Sequence, residues 1–258
     1  MVKGELPVTR RAVLFDLDGT LLDLDVDGFM PHYMDALTRE VAGSLDPGRF
    51  QGAVMAGTRA MIGNDGRTTN EEAFWRTFEE KAGVSRSHVA EATDRFYREV
   101  FPGLSHLSRP VEEAARVVEE VKRSGALLVV ATNAIFPRQA ILERLRWAKV
   151  DPGLFDLITS YEIMHASKPN PAYYLEICDK LGIAPADAVM VGNDPELDIR
   201  AAQAAGLRTY LVEDGTPAGR LEQDFAARAP SGAPGKPAVP DGRGPLAGVP
   251  SFLAAIRG

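Results

Sequence analysis

The sequence contains a single cysteine, Cys178, among its 258 residues. An intrachain disulfide is therefore impossible, and a reducing compartment fits this composition. Cys178 follows the apolar helical pattern of residues 174–177, where a packed core thiol is far more common than a catalytic one. We expect no disulfide scaffold and no cysteine nucleophile.

Long apolar runs are also missing. No stretch approaches the roughly 20 apolar residues of a membrane-spanning helix, and residues 1–11 lack the apolar core of a signal peptide. An excess of positive charge is missing as well, since the formal net charge is −7 and the pI is about 5.2. These absences argue against nucleic acid or a membrane as the main partner, and they predict a cytoplasmic protein.

Apolar residues make up 45% of the chain, which is enough for an ordinary core. The length suits one large domain, or a core with a smaller inserted domain. Residues 13–17 predict a buried strand, and helical periodicity then runs from about residue 28 to residue 101. From residue 108 to residue 212 strands and helices alternate, which predicts a Rossmann-like α/β fold, a parallel sheet covered by helices on both faces.

The same patterns predict the domain boundaries. Residues 1–22 and 106–258 form the α/β core, and residues 23–105 form an inserted all-helical domain. Within the core, residues 214–248 are dense in glycine and proline and lose periodicity, which predicts an irregular loop before a short closing helix at 249–256. Core strands are predicted at 126–131, 156–159, 188–191 and 208–212, and helices at 110–123, 139–147, from 171 onwards and from 195 to about 206.

Two carboxylates, Asp16 and Asp18, mark the end of the first predicted strand. Side chains alternate along a strand, so both should point to the same side, just before the turn that Gly19 permits. At ~4 Å and an effective dielectric constant of ~20, two such charges repel each other by ~4 kcal/mol. A positive charge is therefore expected beside them, and a metal ion is the simplest candidate.

Polar residues also end two later strands, and a lysine precedes one helix. In open α/β sheets, ligands bind in the crevice at the carboxyl ends of the strands. Taken singly, each residue is more often an ordinary loop residue or helix cap, but their order and placement together favour a site. The side chains expected in this crevice are those of Asp16, Asp18, Thr132, Asn133, Lys168, Asn193 and Asp194.

The stretch from Asp16 to Thr20 resembles the DxDGT motif of the haloacid dehalogenase superfamily in its phosphatase form. Thr132, Lys168 and residues 192–198 resemble the second, third and fourth motifs, in the same order. The resemblance covers residues 11–212. It implies an α/β core with a helical cap, and a Mg²⁺-dependent phosphomonoester hydrolase that acts on a small phosphorylated metabolite.

The resemblance also implies catalytic roles. Asp16 would be the nucleophile that becomes an aspartyl-phosphate, and Asp18 would be the general acid and base. Thr132 and Asn133 would bind the phosphoryl oxygens. Lys168 would steady the charge of the nucleophile and of the phosphate.

A magnesium site is implied at the same crevice. Its ligands would be Asp16, Asp18 through the backbone carbonyl, and Asp194, with Asp198 in support. Asn193 occupies a position where many relatives have a second acid, which leaves the ligand set open.

Other functions stay open. A phosphomutase shares these motifs, whereas a dehalogenase is disfavoured because those relatives lack an acid at the position of Asp18. A phosphonate hydrolase would need a lysine in the helical domain, and Lys81 looks like an exposed helix-end residue there. A phosphate-sensing or scaffold protein without turnover would have no need of Asp18.

Specificity should lie in the helical domain, where His32, Arg59 and Arg67 are conceivable contacts, although each is more often a solvated surface residue. The sequence does not indicate an oligomeric state.

Overall fold

The computed structural model of the protein describes residues 11–217, 219 and 238–256. The strands are β1 Ala12–Phe15, β2 Leu22–Leu24, β3 Ser108–Pro110, β4 Leu127–Val130, β5 Leu157–Ile158, β6 Ala188–Gly192, β7 Arg208–Val212 and β8 Gly242–Gly244. Six of them form one sheet in the order β5-β4-β1-β6-β7-β8, and every neighbouring pair is parallel. The Rossmann-like α/β fold that the alternating pattern predicts is confirmed.

Helices cover both faces of this sheet. They are α5 Ala114–Arg123, α6 Arg138–Trp147, α7 Pro171–Leu181, α8 Ala201–Ala204 after a π-helical turn at Pro195–Arg200, and α9 Val249–Ala255. In β1, Val13 and Phe15 pack into one apolar cluster, whereas Ala12 and Leu14 pack into a second. All four side chains are 1% exposed or less, which explains the unbroken apolar run at this place in the sequence.

An all-helical segment, residues 25–107, lies between β2 and β3; we call it the helical insertion. It contains α1 Val26–Val41, α2 Pro47–Ile62, α3 Asn70–Ala82 and α4 Ser87–Arg95, followed by a π turn at Phe96–Val100 and a 3₁₀ helix at Phe101–Leu107. Strands β2 and β3 pair antiparallel, Leu22 with Pro110 and Leu24 with Ser108, where the chain leaves the core and returns to it. Across residues 11–217, 219 and 238–256, every helix is too short or too polar to traverse a bilayer.

Buried hydrogen bonds attach the helical insertion to the core at the start of α3. The Asn70 side chain is fully buried, and its Nδ2 donates to the carbonyl oxygens of Ala134, at 2.9 Å, and Ala166, at 3.1 Å. The Asn70 N–H donates to the Met164 carbonyl oxygen at 2.8 Å, and the next N–H donates to the Tyr161 carbonyl oxygen at 2.8 Å. The first N–H groups of a helix have no partner within it, so here the core loop after β5 supplies one for each of these two N–H groups.

The prediction of an irregular loop over 214–248 is wrong for its last part. Strand β8 pairs with β7, and a 3₁₀ turn follows at Leu246–Gly248. The Asp241 carboxylate anchors the strand by accepting bonds from the Thr209 N–H at 2.8 Å and the Thr209 hydroxyl at 3.2 Å. The strand sequence Gly-Arg-Gly has low β propensity, so its strand character depends on these tertiary contacts. Residues 218 and 220–237 of the predicted loop lie outside the described residues.

Candidate active site

Asp16 and Asp18 follow β1 at the carboxyl edge of the sheet. Asp16 is 7% exposed, and its N–H continues the strand pairing by donating to the Val191 carbonyl oxygen at 2.9 Å. Gly19 then turns the chain with a φ of 86°, a conformation that favours glycine. This turn leaves both carboxylates at the end of a buried strand, facing the same group of loops.

Lys168 joins two of the acidic residues. Its Nζ donates to Asp16 Oδ1 at 2.7 Å and to Asp198 Oδ1 at 2.6 Å, and the lysine is only 2% exposed. Burial lowers the pKa of Lys168, but the carboxylates of Asp16 and Asp198 raise it by more, so it lies well above its usual range. Lys168 is therefore a permanent cation of the site.

The carboxylates of Asp16 and Asp198 share the single ammonium group of Lys168, and this sharing affects the pKa of Asp16. Burial raises the pKa of Asp16 to about 7; the charge of Lys168 opposes the shift, and Asp198 and Asp18 add to it. Asp198 is fixed on its other side as well, because its Oδ2 accepts from the Asp194 N–H at 3.1 Å. Asp198, which lies within the π turn Pro195–Arg200, thus holds both Lys168 and the residue that caps this turn.

Asp18 has a different partner, Arg144 of α6, which the sequence analysis does not identify. Arg144 Nη1 donates to Asp18 Oδ2, and the arginine side chain is 2% exposed. Its guanidinium stacks on the Phe136 ring, with 4.5 Å from Cζ to the ring centroid. The available signal is helical periodicity, because Arg144 shares the buried face of α6 with Ile141 and Leu145. A charged residue on such a face indicates a buried partner.

Thr132 and Asn133 follow β4 and line the same small cavity as Asp16, Asp18 and Lys168. The backbone around Thr132 is fixed, because its carbonyl oxygen accepts from the hydroxyls of Tyr173, at 2.7 Å, and Thr159, at 3.0 Å. The phosphate-binding candidates therefore lie around one cavity, of about 30 Å³, at the carboxyl edge of the sheet.

Asn193 also borders this cavity, but both ends of its amide bind elsewhere. Its Oδ1 accepts from the Thr20 hydroxyl at 3.0 Å, and its Nδ2 donates to the Thr216 carbonyl oxygen at 2.6 Å. The Thr216 N–H in turn donates to the Gly19 carbonyl oxygen at 3.0 Å. A Cβ on Gly19 would lie 2.4 Å from Asn193 Nδ2, and a Cβ on Gly215 would lie 2.2 Å from the Gly19 oxygen, so the turn and the segment after β7 are in close backbone contact. Asn193 therefore links the turn at Gly19 to the segment after β7.

Four carboxylates in this region, those of Asp16, Asp18, Asp194 and Asp198, face two cations, Lys168 and Arg144. The fully ionised site therefore has a net charge of −2, which opposes entry of a phosphate dianion.

The residues present fit a hydrated Mg²⁺, which takes one or two protein carboxylates and completes its octahedron with water and phosphate oxygens. Asp18 Oδ1 is buried without a hydrogen-bond partner among the described residues. Asp194 caps the π turn, its Oδ1 accepting the N–H groups of Glu196 at 2.7 Å and Leu197 at 2.9 Å. Burial raises the pKa of Asp194, and the Asp198 carboxylate adds to the shift, as expected for an acid without its own cation. In the part of the chain described, no group of three or more acidic, histidine or cysteine side chains is arranged to hold a metal ion.

The conceivable specificity residues of the insertion lie on its surface. The exposed His32 contacts the Gly28 carbonyl oxygen through Nδ1 at 2.9 Å, and Arg67, 86% exposed, pairs with Asp65 at 3.4 Å. Arg59 is exposed on α2. Lys81 is exposed at the end of α3, where it bonds Glu80 at 2.9 Å. Cys178 is buried, and burial raises the pKa of its thiol to about 11, as suits a packed thiol.

A comparison with protein families decides the classification. The model of the haloacid dehalogenase-like hydrolases matches residues 10–206. The chain belongs to the haloacid dehalogenase-like hydrolases. This haloacid dehalogenase-like hydrolase is 29% identical over 224 residues to a phosphoglycolate phosphatase of Vibrio vulnificus (strain CMCP6), covering 84% of this chain and 91% of the relative. It is 28% identical over 213 residues to the N-acetylmuramic acid 6-phosphate phosphatase of Pseudomonas aeruginosa, covering 80% and 82%.

Solved structures support the fold. A 2-haloacid dehalogenase from Pseudomonas syringae pv. tomato DC3000 superposes with a TM-score of 0.61 at 22% identity, covering 96% of this hydrolase and all of that chain. A protein described as a predicted phosphoglycolate phosphatase from Haemophilus somnus 129PT gives 0.54 at 20% identity, covering 95% and 98%. At these identities the likeness concerns the fold alone.

Proposed function

We propose that this hydrolase is a Mg²⁺-dependent phosphomonoesterase that cleaves small phosphorylated metabolites through an aspartyl-phosphate on Asp16. The observation that carries the proposal is the cavity where Asp16 and Lys168 pair beside Asp18, Thr132 and Asn133. It combines a nucleophile, a fixed cation, a second carboxylate and phosphate-binding groups within one space. Phosphoglycolate and N-acetylmuramic acid 6-phosphate, named in the relatives, are the first substrates to test.

The chemistry assigns one task to each side chain. An oxygen of Asp16 attacks phosphorus, and the bond from phosphorus to the ester oxygen breaks while Asp18 protonates the leaving alcohol. Asp18 then takes a proton from the water that hydrolyses the aspartyl-phosphate. Lys168, with Thr132 and Asn133, holds the phosphoryl oxygens and offsets their charge.

Mg²⁺ would be held by Asp16, the Asp18 backbone carbonyl and Asp194, with Asp198 in support. When bound it would offset the net negative charge of the carboxylates and help to orient the phosphate. Asp198 would contribute chiefly by holding Lys168.

Rapid-quench kinetics with p-nitrophenyl phosphate and Asp18→Asn test the covalent route. This ester has a good leaving group, so its first step scarcely needs an acid, whereas the second step loses its base. General acid–base catalysis is worth about 10²–10⁴-fold, so the second step should become limiting. We expect a burst of about one p-nitrophenol per active site in the presence of Mg²⁺, then a stall, with phosphate recovered on Asp16 after acid quench.

Three arms complete this experiment. Asp16→Asn should give neither burst nor label, and chelation by EDTA should remove the burst until Mg²⁺ is restored. Asp25 is an exposed acid seven residues after Asp18, and Asp25→Asn should behave as wild type. A label on another residue would exclude Asp16 as the nucleophile. With a sugar phosphate as substrate in place of p-nitrophenyl phosphate, transfer of the phosphoryl group to a second hydroxyl of the sugar instead of to water would indicate a phosphomutase.

A further inference from the structure

A large cavity lies between the helical insertion and the core. Its volume is about 410 Å³, more than twice the roughly 150 Å³ of an engineered apolar cavity that binds benzene. Its walls come from α1 to α4, from the loop after β4 and the start of α6, and from the loop after β5. We call it the aromatic chamber because its lining includes Phe50, Phe74, Trp75, Phe78 and Phe136.

Most polar groups on the wall of the aromatic chamber already have protein partners. The hydroxyls of Tyr33 and Tyr97 bond each other at 2.7 Å, and Arg86 pairs with Glu71 at 2.8 Å. Burial raises the pKa of Tyr33 to about 12, so this hydroxyl stays neutral. The Thr58 and Thr93 hydroxyls donate to carbonyl oxygens of their own helices. A ligand in the chamber would therefore meet mainly apolar surface.

The aromatic chamber borders the active site through a second cavity of about 40 Å³. Met30, Ile135 and Phe136 line both of these cavities. At its other end, the second cavity is lined by Asp18 and Thr132, which also line the small cavity around Asp16. Each of the three spaces therefore shares lining residues with the next, in a series from Asp16 to the chamber.

We propose that the substrate is a phosphate monoester of an alcohol with a bulky apolar group, and that the aromatic chamber binds this group. The inference rests on the proposed function, because Asp16 and Asp18 fix where the phosphate and the ester oxygen lie. The first carbons of the alcohol occupy the second cavity, and the apolar group enters the chamber past Phe136. A two-carbon alcohol part would leave the chamber empty.

A series of three esters tests the size of the apolar group: ethyl phosphate, 2-phenylethyl phosphate and 2-(2-naphthyl)ethyl phosphate. Their alcohols are all primary and of similar acidity, so differences in kcat/KM report binding of the apolar group. Burial of a group the size of a phenylalanine side chain supports a rise of about 10- to 100-fold from the ethyl to the phenylethyl ester. We expect at least that rise, retained or extended in the naphthylethyl ester.

A matched pair of variants on α4 tests the location. Ala90 lines the chamber, and Ala90→Phe would fill part of it. The adjacent Glu91 is exposed and does not line the chamber, so Glu91→Phe adds the same ring outside. The ratio of kcat/KM between the naphthylethyl and ethyl esters should fall about tenfold or more in Ala90→Phe and stay unchanged in Glu91→Phe.

A measurement on wild-type enzyme keeps the test independent of folding of the variant. The alcohol 2-(2-naphthyl)ethanol should inhibit p-nitrophenyl phosphate hydrolysis competitively, whereas ethanol at the same concentration should not. Equal kcat/KM for all three esters, or no inhibition by the naphthyl alcohol, would overturn the chamber assignment while leaving the phosphatase proposal intact. Failure to hydrolyse any phosphate monoester, p-nitrophenyl phosphate included, would overturn the proposed function and the chamber assignment with it.

Discussion

At the scale of single residues, the pairing of Arg144 with Asp18 is a contact that sequence patterns did not predict and that catalysis should depend on. Both groups are largely buried, with 2% of the arginine and 12% of the aspartate side chain exposed. Arg144 is the ion-pair partner of Asp18, so in the proposed mechanism it is a positioning residue for the acid–base group. Removing one partner of a buried pair leaves an uncompensated charge, which typically costs about 3–5 kcal/mol.

Arg144→Met should therefore lower stability by about 3 kcal/mol and lower kcat/KM for alkyl phosphates by about 10²-fold. The loss should be smaller for p-nitrophenyl phosphate, whose leaving group needs little acid, and Arg144→Lys should restore part of the activity. Steady-state kinetics with both ester types and urea denaturation measure these effects.

The control for that prediction is Arg146→Met on the same helix, where an exposed arginine pairs with Glu143. It should change stability by less than about 1 kcal/mol and leave kinetics unaltered. Equal losses for both ester types in Arg144→Met would point to a structural role only.

At the scale of elements, Asp156 connects three parts of the core. Its Oδ2 accepts from the Leu128 N–H of β4 and from Lys122 Nζ of α5, both at 2.8 Å, just before β5 begins. Burial raises the pKa of Asp156, but the bonds from Lys122 and Leu128 lower it by more, so its pKa lies below its ordinary value. A lowered pKa stabilises the fold above the unfolded pKa near 4, and that contribution is lost as the pH falls through the folded value.

Asp156→Asn should accordingly lower the free energy of unfolding by about 1–2 kcal/mol at pH 7, because the charge of two charge-assisted bonds is removed. The difference from wild type should shrink as the pH falls below about 4. Urea denaturation at several pH values checks both statements. Lys122→Met removes only the surface ion pair and should cost less than about 1 kcal/mol, so an equal loss in the two variants would assign the effect to the pair alone.

Element boundaries show how far local pattern predicts structure. The buried strands and the helix at 139–147 were predictable, because apolar runs and helical periodicity mark them directly. The helix predicted from residue 110 begins instead at Ala114, since Ser108–Pro110 pairs with β2. Strands β2, β3 and β8 span only three residues each and are set by their partners, so local pattern could not reveal them.

The candidate site likewise contains features that local sequence predicts and features that only tertiary contacts set. Asp16, Asp18, Thr132 and Lys168 could be placed at one edge of the sheet because each follows or precedes a recognisable element. The partners of these residues could not, since the pairing of Arg144 with Asp18 joins residues 126 positions apart. The amide bonds of Asn193 likewise depend on Thr20 and Thr216, which local sequence does not bring together.

At the scale of the whole molecule, Asn70 decides how firmly the helical insertion is held on the core. Its side chain bonds the loop that carries Thr132 and the loop that carries Lys168, through the carbonyl oxygens of Ala134 and Ala166. Asn70→Ala would leave both buried oxygens without a partner, at about 1–3 kcal/mol for each such group.

We expect Asn70→Ala to lose about 2–6 kcal/mol of stability and up to about 10²-fold in kcat/KM, because the loops that carry Thr132 and Lys168 both shift. Thermal denaturation and steady-state kinetics measure the two effects. Thr69→Ala removes only the capping bond of α3 to the Glu72 N–H and should cost about 1 kcal/mol without affecting turnover. Unchanged kinetics in Asn70→Ala would mean that the insertion does not position the loops.

The contact between Gly19 and Gly215 limits the substitutions that this protein can accept at the two positions. The two glycines meet backbone to backbone, and a Cβ on either would overlap its neighbours. Gly215 lies beyond residue 206, where the match to the family model ends. Position 215 should therefore tolerate substitution as poorly as the turn at Gly19 does, and less well than an ordinary surface loop. We therefore expect an insertion between β7 and Thr216 to disturb the turn at Gly19 more than an insertion downstream of Thr216.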